Sequence, residues 1–163
     1  MTSDENQAGR AKVAEIVKDV QIAMLTTIDD DGHLVSRPMA VQQVEFDGDL
    51  WFVSDGDARK VNQIRHGART NVSFSSNGAW LSVAGDAQVL NDRQKLDELW
   101  NPALSAWFPD GPDTPGIALV KIHADTAEYW DAPGSKVTTL ISYVKAKVKG
   151  ERAEVGENKV VDL

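Results

Sequence analysis

The sequence predicts a mainly β protein of α+β type: an antiparallel β-barrel with flanking helices. Three observations predict it. About six or seven short β-prone runs recur along the chain, separated by turn residues. Two of the separations contain Asp47-Gly48 and Asn77-Gly78, pairs that tolerate the positive φ of a type I′ turn and so join strands as antiparallel hairpins. Helical periodicity is confined to the two ends of the chain and to two short stretches between strands. A sheet of this size commonly closes into a barrel, because closure hides its edges.

The elements follow in order. Ala8–Val20 reads as a helix, with Val13, Ile16, Val17 and Val20 on one face and Ser3 or Asp4 as cap. Ile22–Ile28 is a strand ending in the turn Asp29-Asp30-Asp31-Gly32, and His33–Phe46 is a long strand bent near Pro38. The Asp47-Gly48 turn then returns the chain into Leu50–Ser54. A short helix over Ala58–His66 is capped by Asp57 and stopped by Gly67. Thr70–Ser76 and Ala79–Leu90 form the second hairpin, and Asp92 caps a helix presenting Leu96, Leu99 and Trp100. Asn101–Gly116 carries four prolines and reads as an irregular loop of functional or interfacial kind. Ile117–Ile122 and Ala127–Trp130 are the last strands. Lys136–Val148 forms a closing helix with Val137, Leu140, Ile141, Val144 and Val148 on one face.

Length and composition set the boundaries. At 163 residues the chain is one domain, taken as 1–150, followed by a charged and frayed tail over 151–163. With 17 basic against 25 acidic residues the net charge is −8, which disfavours nucleic acid and anionic membrane surfaces. No apolar run is long enough to span a bilayer, and the polar N-terminus lacks the apolar core of a secretory signal. The absence of cysteine removes disulfides and thiolate chemistry. These features fit a cytoplasmic protein.

The common catalytic motifs are missing. His33, His66 and His123 are scattered without metal-ligand spacing, and there is no nucleophile elbow or glycine-rich phosphate loop. Chemistry in such a chain belongs to a cofactor. The informative residues are Ser36-Arg37-Pro38-Met39 and Ser54-Asp55-Gly56-Asp57-Ala58-Arg59-Lys60. Arg59 and Lys60 fall at the start of a helix, where the dipole disfavours cations. Two cations beside free backbone N–H groups suit a phosphate. Salt bridges from the same pair to Asp55 and Asp57 are the alternative, and on residue chemistry alone the commoner one. The five tryptophans, at 51, 80, 100, 107 and 130, default to core or interface packing.

These segments together resemble the pyridoxamine 5′-phosphate oxidase-like, FMN-binding split barrels, and among them the general stress protein 26-like branch. The resemblance runs from the first helix to about Val148. It is carried by VSRPMAVQQVEFDGDLWFVS, the RKV of the short helix, TNVSFSS, WLSVAGDAQV, DELWNPALSAWFPDGPDTP and AEYWDAPGSKV. It implies a split barrel that dimerises and binds FMN in grooves at the dimer interface. Arg37 matches the strand arginine used on the flavin phosphate, and Arg59 and Lys60 match the basic pair that completes that site. Pro38 and Met39 continue along the strand that passes the ring. Val53 and Ser54 match the end of a neighbouring strand that meets the cofactor. Trp130 matches a tryptophan given by the second subunit, with Trp80 and Trp107 as weaker candidates.

The departures bear on function. Gln42 stands where the oxidases carry a lysine, and Ala58 replaces a serine before the basic pair. After Trp130 the chain reads Asp131-Ala132-Pro133-Gly134-Ser135-Lys136, without the Arg-x-His pair that true oxidases use on pyridoxal substrates. The resemblance therefore implies a flavin protein without pyridoxamine-phosphate oxidase activity. It would be a flavin-dependent oxidoreductase with a small-molecule redox partner, or a non-catalytic flavin carrier. FAD or a deazaflavin are alternative cofactors, and haem is disfavoured by the histidine positions.

Overall fold

The computed structural model describes residues 2–131 and 157–163. Helix α1 (Ser3–Asp19) begins earlier than the apolar period indicates because Thr2 and Glu5 form a capping box. The Thr2 backbone N–H donates to Glu5 Oε2 at 2.9 Å, and the Glu5 N–H donates to Thr2 Oγ1 at 3.3 Å. Its buried face carries Val13, Ile16 and Val17 against the sheet.

Seven antiparallel strands build that sheet: β1 (Ile22–Ile28), β2 (Leu34–Ala40), β3 (Asp49–Asp55), β4 (Arg69–Ser76), β5 (Ala79–Leu90), β6 (Ile117–Asp131) and β7 (Glu157–Asp162). The hydrogen-bonded order is β2-β1-β4-β5-β6-β3, with β7 on the second half of β6. Strands β2 and β3 thus end the path and share no ladder. That gap is the split of the barrel.

Several sequence expectations hold and others are corrected. The Asn77-Gly78 hairpin forms, with Gly78 at φ 88° and Ser76 opposite Ala79. The Asp47-Gly48 hairpin does not. Gly48 does take φ 109°, but β3 pairs with β6, Asp49 to His123 through Asp55 to Ile117, rather than with the strand before it. A turn signal fixes local dihedrals; the partner is set by burial, and Leu50 and Phe52 bury beside Ile122 and Val120. The long strand expected to Phe46 stops at Ala40. Pro38 fits inside it because β2 has β1 as its sole neighbour in the path.

The two last strands expected at 117–130 are one strand, β6, kinked by a bulge. Gly85 opposes Ala124 and Ala84 opposes Thr126, which leaves Asp125 as the extra residue. A Cβ on Gly85 would lie 2.2 Å from the His123 carbonyl oxygen, so glycine is required at that close approach. The segment 101–116 is not wholly irregular, since it holds helix α4 (Pro102–Trp107) and a 3₁₀ turn over Gly111–Asp113. Asn101 caps α4 by accepting from the N–H groups of Ala103 and Leu104. Helix α3 (Arg93–Leu99) is capped by Asp92, as expected.

The frayed tail is corrected over its last stretch. Residues 157–162 form β7, Val161 is fully buried, and a Cβ on Gly9 would meet Val161 Cγ2 at 2.7 Å. Arg10 donates to the Asp162 carbonyl and Lys159 to the Glu5 carbonyl, so α1 and β7 clasp each other. The helix expected over 136–148 lies outside the described residues.

Two apolar clusters result. The main one fills the space between α1 and the inner sheet face and includes Leu25, Phe52, Val72, Leu81, Val83 and Ile122. The second lies under α3 and α4 and contains Val53, Leu96, Leu99, Leu104, Phe108 and Leu119. Among the described residues no helix is long and apolar enough to cross a membrane.

Candidate functional site

The basic residues gather over β1, between β2 and the short helix that carries Gln63. Side chains alternate across a strand, so on β2 Arg37 points to the inner side with Met39, while Ser36 and Pro38 point outward. Arg37 reaches over its neighbour strand. Its Nη1 donates to Thr27 Oγ1 at 2.6 Å and to the Leu25 carbonyl at 3.3 Å, and its Nη2 donates to Gln63 Oε1 at 3.0 Å. The Thr27 hydroxyl donates to the same Gln63 oxygen at 2.6 Å. Thr27 and Gln63 are buried, so the guanidinium is anchored by a network with little room to move.

All three acceptors are neutral. Arg37 is thus oriented without having its charge cancelled, which leaves it available to an anion.

Gln63 belongs to α2 (Arg59–His66), which packs Val61, Gln63 and Ile64 inward. Its N-cap is Ala58, not the expected Asp57, and no side chain caps the first turn. There is also no acidic residue in that turn. The first N–H groups of α2 therefore lack a side-chain acceptor at the place where Arg59 and Lys60 stand.

The cations press on one another. Burial, and then the charge of Arg59, lower the Arg37 pKa. Burial and then the charge of Arg37 lower the Lys60 pKa, with Asp55 opposing. Lys60 has no hydrogen-bond or ion-pair partner among the described residues, and Arg59 is exposed and reaches Asp29 at 3.5 Å. Asp29 itself is committed to the β1–β2 turn, accepting from the N–H groups of Asp31 and His33. These bonds, His33 first, hold its carboxyl below the ordinary range. Three like charges thus stand together, offset by Asp55 beside Lys60 and by Asp29 at 3.5 Å from Arg59.

The structure brings Arg37, Arg59 and Lys60 together; the other sequence candidates lie elsewhere. Met39 is buried in the main core and Val53 in the second. Ser54 is buried at the end of β3, its hydroxyl donating to the Asp55 carbonyl at 3.2 Å. Pro38 and Trp130 lie on the outer sheet face. There Trp130 stands opposite Trp80, and Ile22, Met24 and Val160 are also exposed. Trp107 projects from the end of α4, 74% exposed. Gln42 is buried and accepts from Asn101 Nδ2 at 3.0 Å, so it braces α4.

Thr27 and Gln63 were not among the sequence candidates. The signal for Thr27 is a polar residue on the inward alternation of β1 after Ala23 and Leu25. For Gln63 it is a glutamine beside Val61 and Ile64 on the buried face of α2.

The antiparallel split barrel, with three basic residues gathered against β1, defines the class of fold. The chain belongs to the pyridoxamine 5′-phosphate oxidase-like family, whose model matches residues 8–154. It is 30% identical over 149 residues to protein bli-3 of Neurospora crassa, covering 84% of this chain and 71% of that protein. A general stress protein 26 structure from Jannaschia sp. CCS1 superposes with a TM-score of 0.77 at 24% identity, covering 96% of this chain and 99% of that one. The general stress FMN/FAD binding protein of Xanthomonas citri superposes with a TM-score of 0.67 at 32% identity, over 82% and 93% of the two chains. The fold and family expectations from the sequence therefore hold.

Proposed function

We propose that this protein is a flavin-binding homodimer of the general stress protein type. In this reading FMN is held by its phosphate between Arg37, Arg59 and Lys60, and the protein works as a flavin-dependent oxidoreductase distinct from pyridoxamine-phosphate oxidase. One observation carries it: Arg37 is locked in place by neutral groups alone, beside Lys60 and an uncapped helix start. The relative from Xanthomonas citri, described as FMN/FAD binding, supports a flavin as the anion's owner.

When bound, the flavin supplies hydride chemistry. The chain's part is to grip the phosphate and exclude water; no histidine is bonded to Arg37 or Lys60 among the described residues. The exposed outer face, with Trp80 and Trp130, suits a second copy of the chain. Trp130 lies on the sheet face opposite to Arg37, so its route to a flavin is the partner's site. The missing Arg-x-His after Trp130 argues against the oxidase substrate.

The test is the visible spectrum and fluorescence of the purified protein titrated with FMN, repeated with Arg37→Ala and Lys60→Ala. Loss of affinity in both variants is expected, and unchanged affinity in both refutes the phosphate site. NAD(P)H oxidation by the loaded protein separates the enzyme from a flavin carrier, for which no donor gives turnover.

A further inference from the structure

Basic residues are unevenly spread along this acidic chain. Between Asp57 and Asp86 no acidic residue occurs, while the same stretch carries Arg59, Lys60, Arg65, His66 and Arg69. Most of these lie on α2, and burial decides where they point. Val61 and Ile64 pack into the main core, with α2 seated against β1 and β5, which leaves Arg59, Asn62, Arg65 and His66 exposed. Residues three and four apart are neighbours on a helix surface, so these four form one ridge. Two recesses that share no lining residue adjoin it. One, of about 290 Å³, is bounded by Asp57 and Arg65 and walled by Val89, Leu90 and Ile117. The other, of about 350 Å³, lies between the β1–β2 turn and the end of α2, where Ile28, Asp29 and His66 line it.

The ridge keeps its charge. Arg65 Nη1 donates to the Gly56 carbonyl at 3.2 Å and to Asn62 Oδ1 at 3.4 Å, both neutral, so no bonded carboxylate cancels it. With its oxygen turned to Arg65, the Asn62 amide has a free Nδ2 donor, which meets no partner among the described residues. A guanidinium beside an amide N–H suits one carboxylate. His66 Nδ1 donates to the Asn62 carbonyl at 2.7 Å, which fixes the end of the ridge. Arg69, by contrast, is committed to Asp86 and Asp125.

We propose that the exposed face of α2 docks an acidic segment of a partner protein. A carboxylate of that segment sits on Arg65 and the Asn62 amide, and an apolar side chain enters each recess. Charge draws the segment in, and the apolar anchors hold it. The proposal does not rest on the flavin reading, because neither Arg65 nor Asn62 belongs to the Arg37–Lys60 cluster. A nucleic acid fits the same surface less well. Asp57 and Asp29 stand at the two recesses, where a run of phosphates would meet them, and the chain as a whole carries a charge of −8. A polypeptide can present apolar or basic residues at those two points.

The experiment is fluorescence anisotropy at low salt, with the full chain titrated into two labelled peptides, one of glutamate alone and one of glutamate interspersed with leucine. The wild type is expected to bind the second more tightly. Arg65→Glu should weaken that binding by roughly tenfold and Asn62→Ala by about threefold. Lys18→Glu makes the same change of net charge on exposed α1 and should move it by less than about twofold. A thermal melt checks that each variant is folded. No binding of either peptide by the wild type overturns the proposal, as does equal affinity for the two. Equal losses in Arg65→Glu and Lys18→Glu overturn it too, since they would reflect net charge alone. Displacement of the peptide by inorganic phosphate at constant ionic strength would put it on the Arg37–Lys60 cluster instead. A single-stranded DNA oligonucleotide bound as tightly as the peptide would assign the face to polyanions at large and refute a protein partner.

Discussion

Gln63→Glu tests the anchoring of Arg37 with almost no change of shape. The new carboxylate keeps both contacts, from Arg37 Nη2 now at 3.0 Å and from the Thr27 hydroxyl now at 2.6 Å. What changes is charge: Arg37 becomes one half of an ion pair. A phosphate on the far side of the guanidinium would lie about 7 Å from that carboxylate, and at an effective dielectric of about 20 each unit of phosphate charge loses about 2 kcal/mol. FMN affinity should therefore fall by at least roughly 30-fold, the loss for a single unit of phosphate charge. Riboflavin has the ring without the phosphate and is the control, with affinity expected to change by less than about twofold. The assay is quenching of flavin fluorescence at low and at high salt, the deficit shrinking with salt as far as solvent reaches the site. FMN bound by Gln63→Glu as tightly as by the wild type would show that Arg37 does not hold the phosphate.

Other expectations follow from the same structure. Burial and Arg37 hold Lys60 below the ordinary lysine range, so its protonated form is disfavoured in the folded state. That penalty is present at neutral pH and fades as pH rises through the lowered value toward 10.5. Lys60→Met should thus raise the melting temperature of flavin-free protein at pH 7 and weaken FMN, which calorimetry and titration measure together. Gly9→Ala gains about 1 kcal/mol of helix propensity but drives a methyl into Val161, a clash that costs about 1–3 kcal/mol. Denaturant unfolding should show net loss for Gly9→Ala, with Val161→Ala in the same chain recovering part of it. On the proposal that the outer face pairs two copies, Trp80→Ser with Trp130→Ser should shift the protein toward monomer in sedimentation while leaving the far-ultraviolet spectrum unchanged; an assembly state the same as the wild type's would refute an interface at these tryptophans.

What the sequence made legible was local. The alternation of Ile22–Ile28 and of Ala79–Leu90 marks those strands to the residue, and Asn77-Gly78 both bends and pairs its neighbours. Arg59-Lys60 were readable as cations out of place at a helix start, whereas Arg37 gained its meaning from the family resemblance. The partners that give them meaning were not readable, because Thr27, Arg37 and Gln63 meet through the pairing of β1 with β2 and the seating of α2 against β1 and β5. Asp47-Gly48 misled for the same reason: it sets a positive φ at Gly48, and nothing in the dipeptide says which strand β3 will join. Asp57 lost the capping position to Ala58, and an uncapped start is less stable alone but leaves N–H groups open for a ligand. The strand at Glu157–Asp162 was hidden among charged residues because its burial rests chiefly on Val161.

The clasp between α1 and β7 has a consequence for how the protein is made. During synthesis α1 emerges well before β7, so Gly9 and Arg10 find their contacts with Val161 and Asp162 only when those residues have left the ribosome. Until then the stretch Thr126–Asp131 of β6 has no partner on the side that β7 will occupy. An unpaired edge of that kind is a template for foreign strands. Closure between such distant positions is intrinsically slow. The nascent chain therefore carries an edge open to aggregation in the interval before β7 arrives.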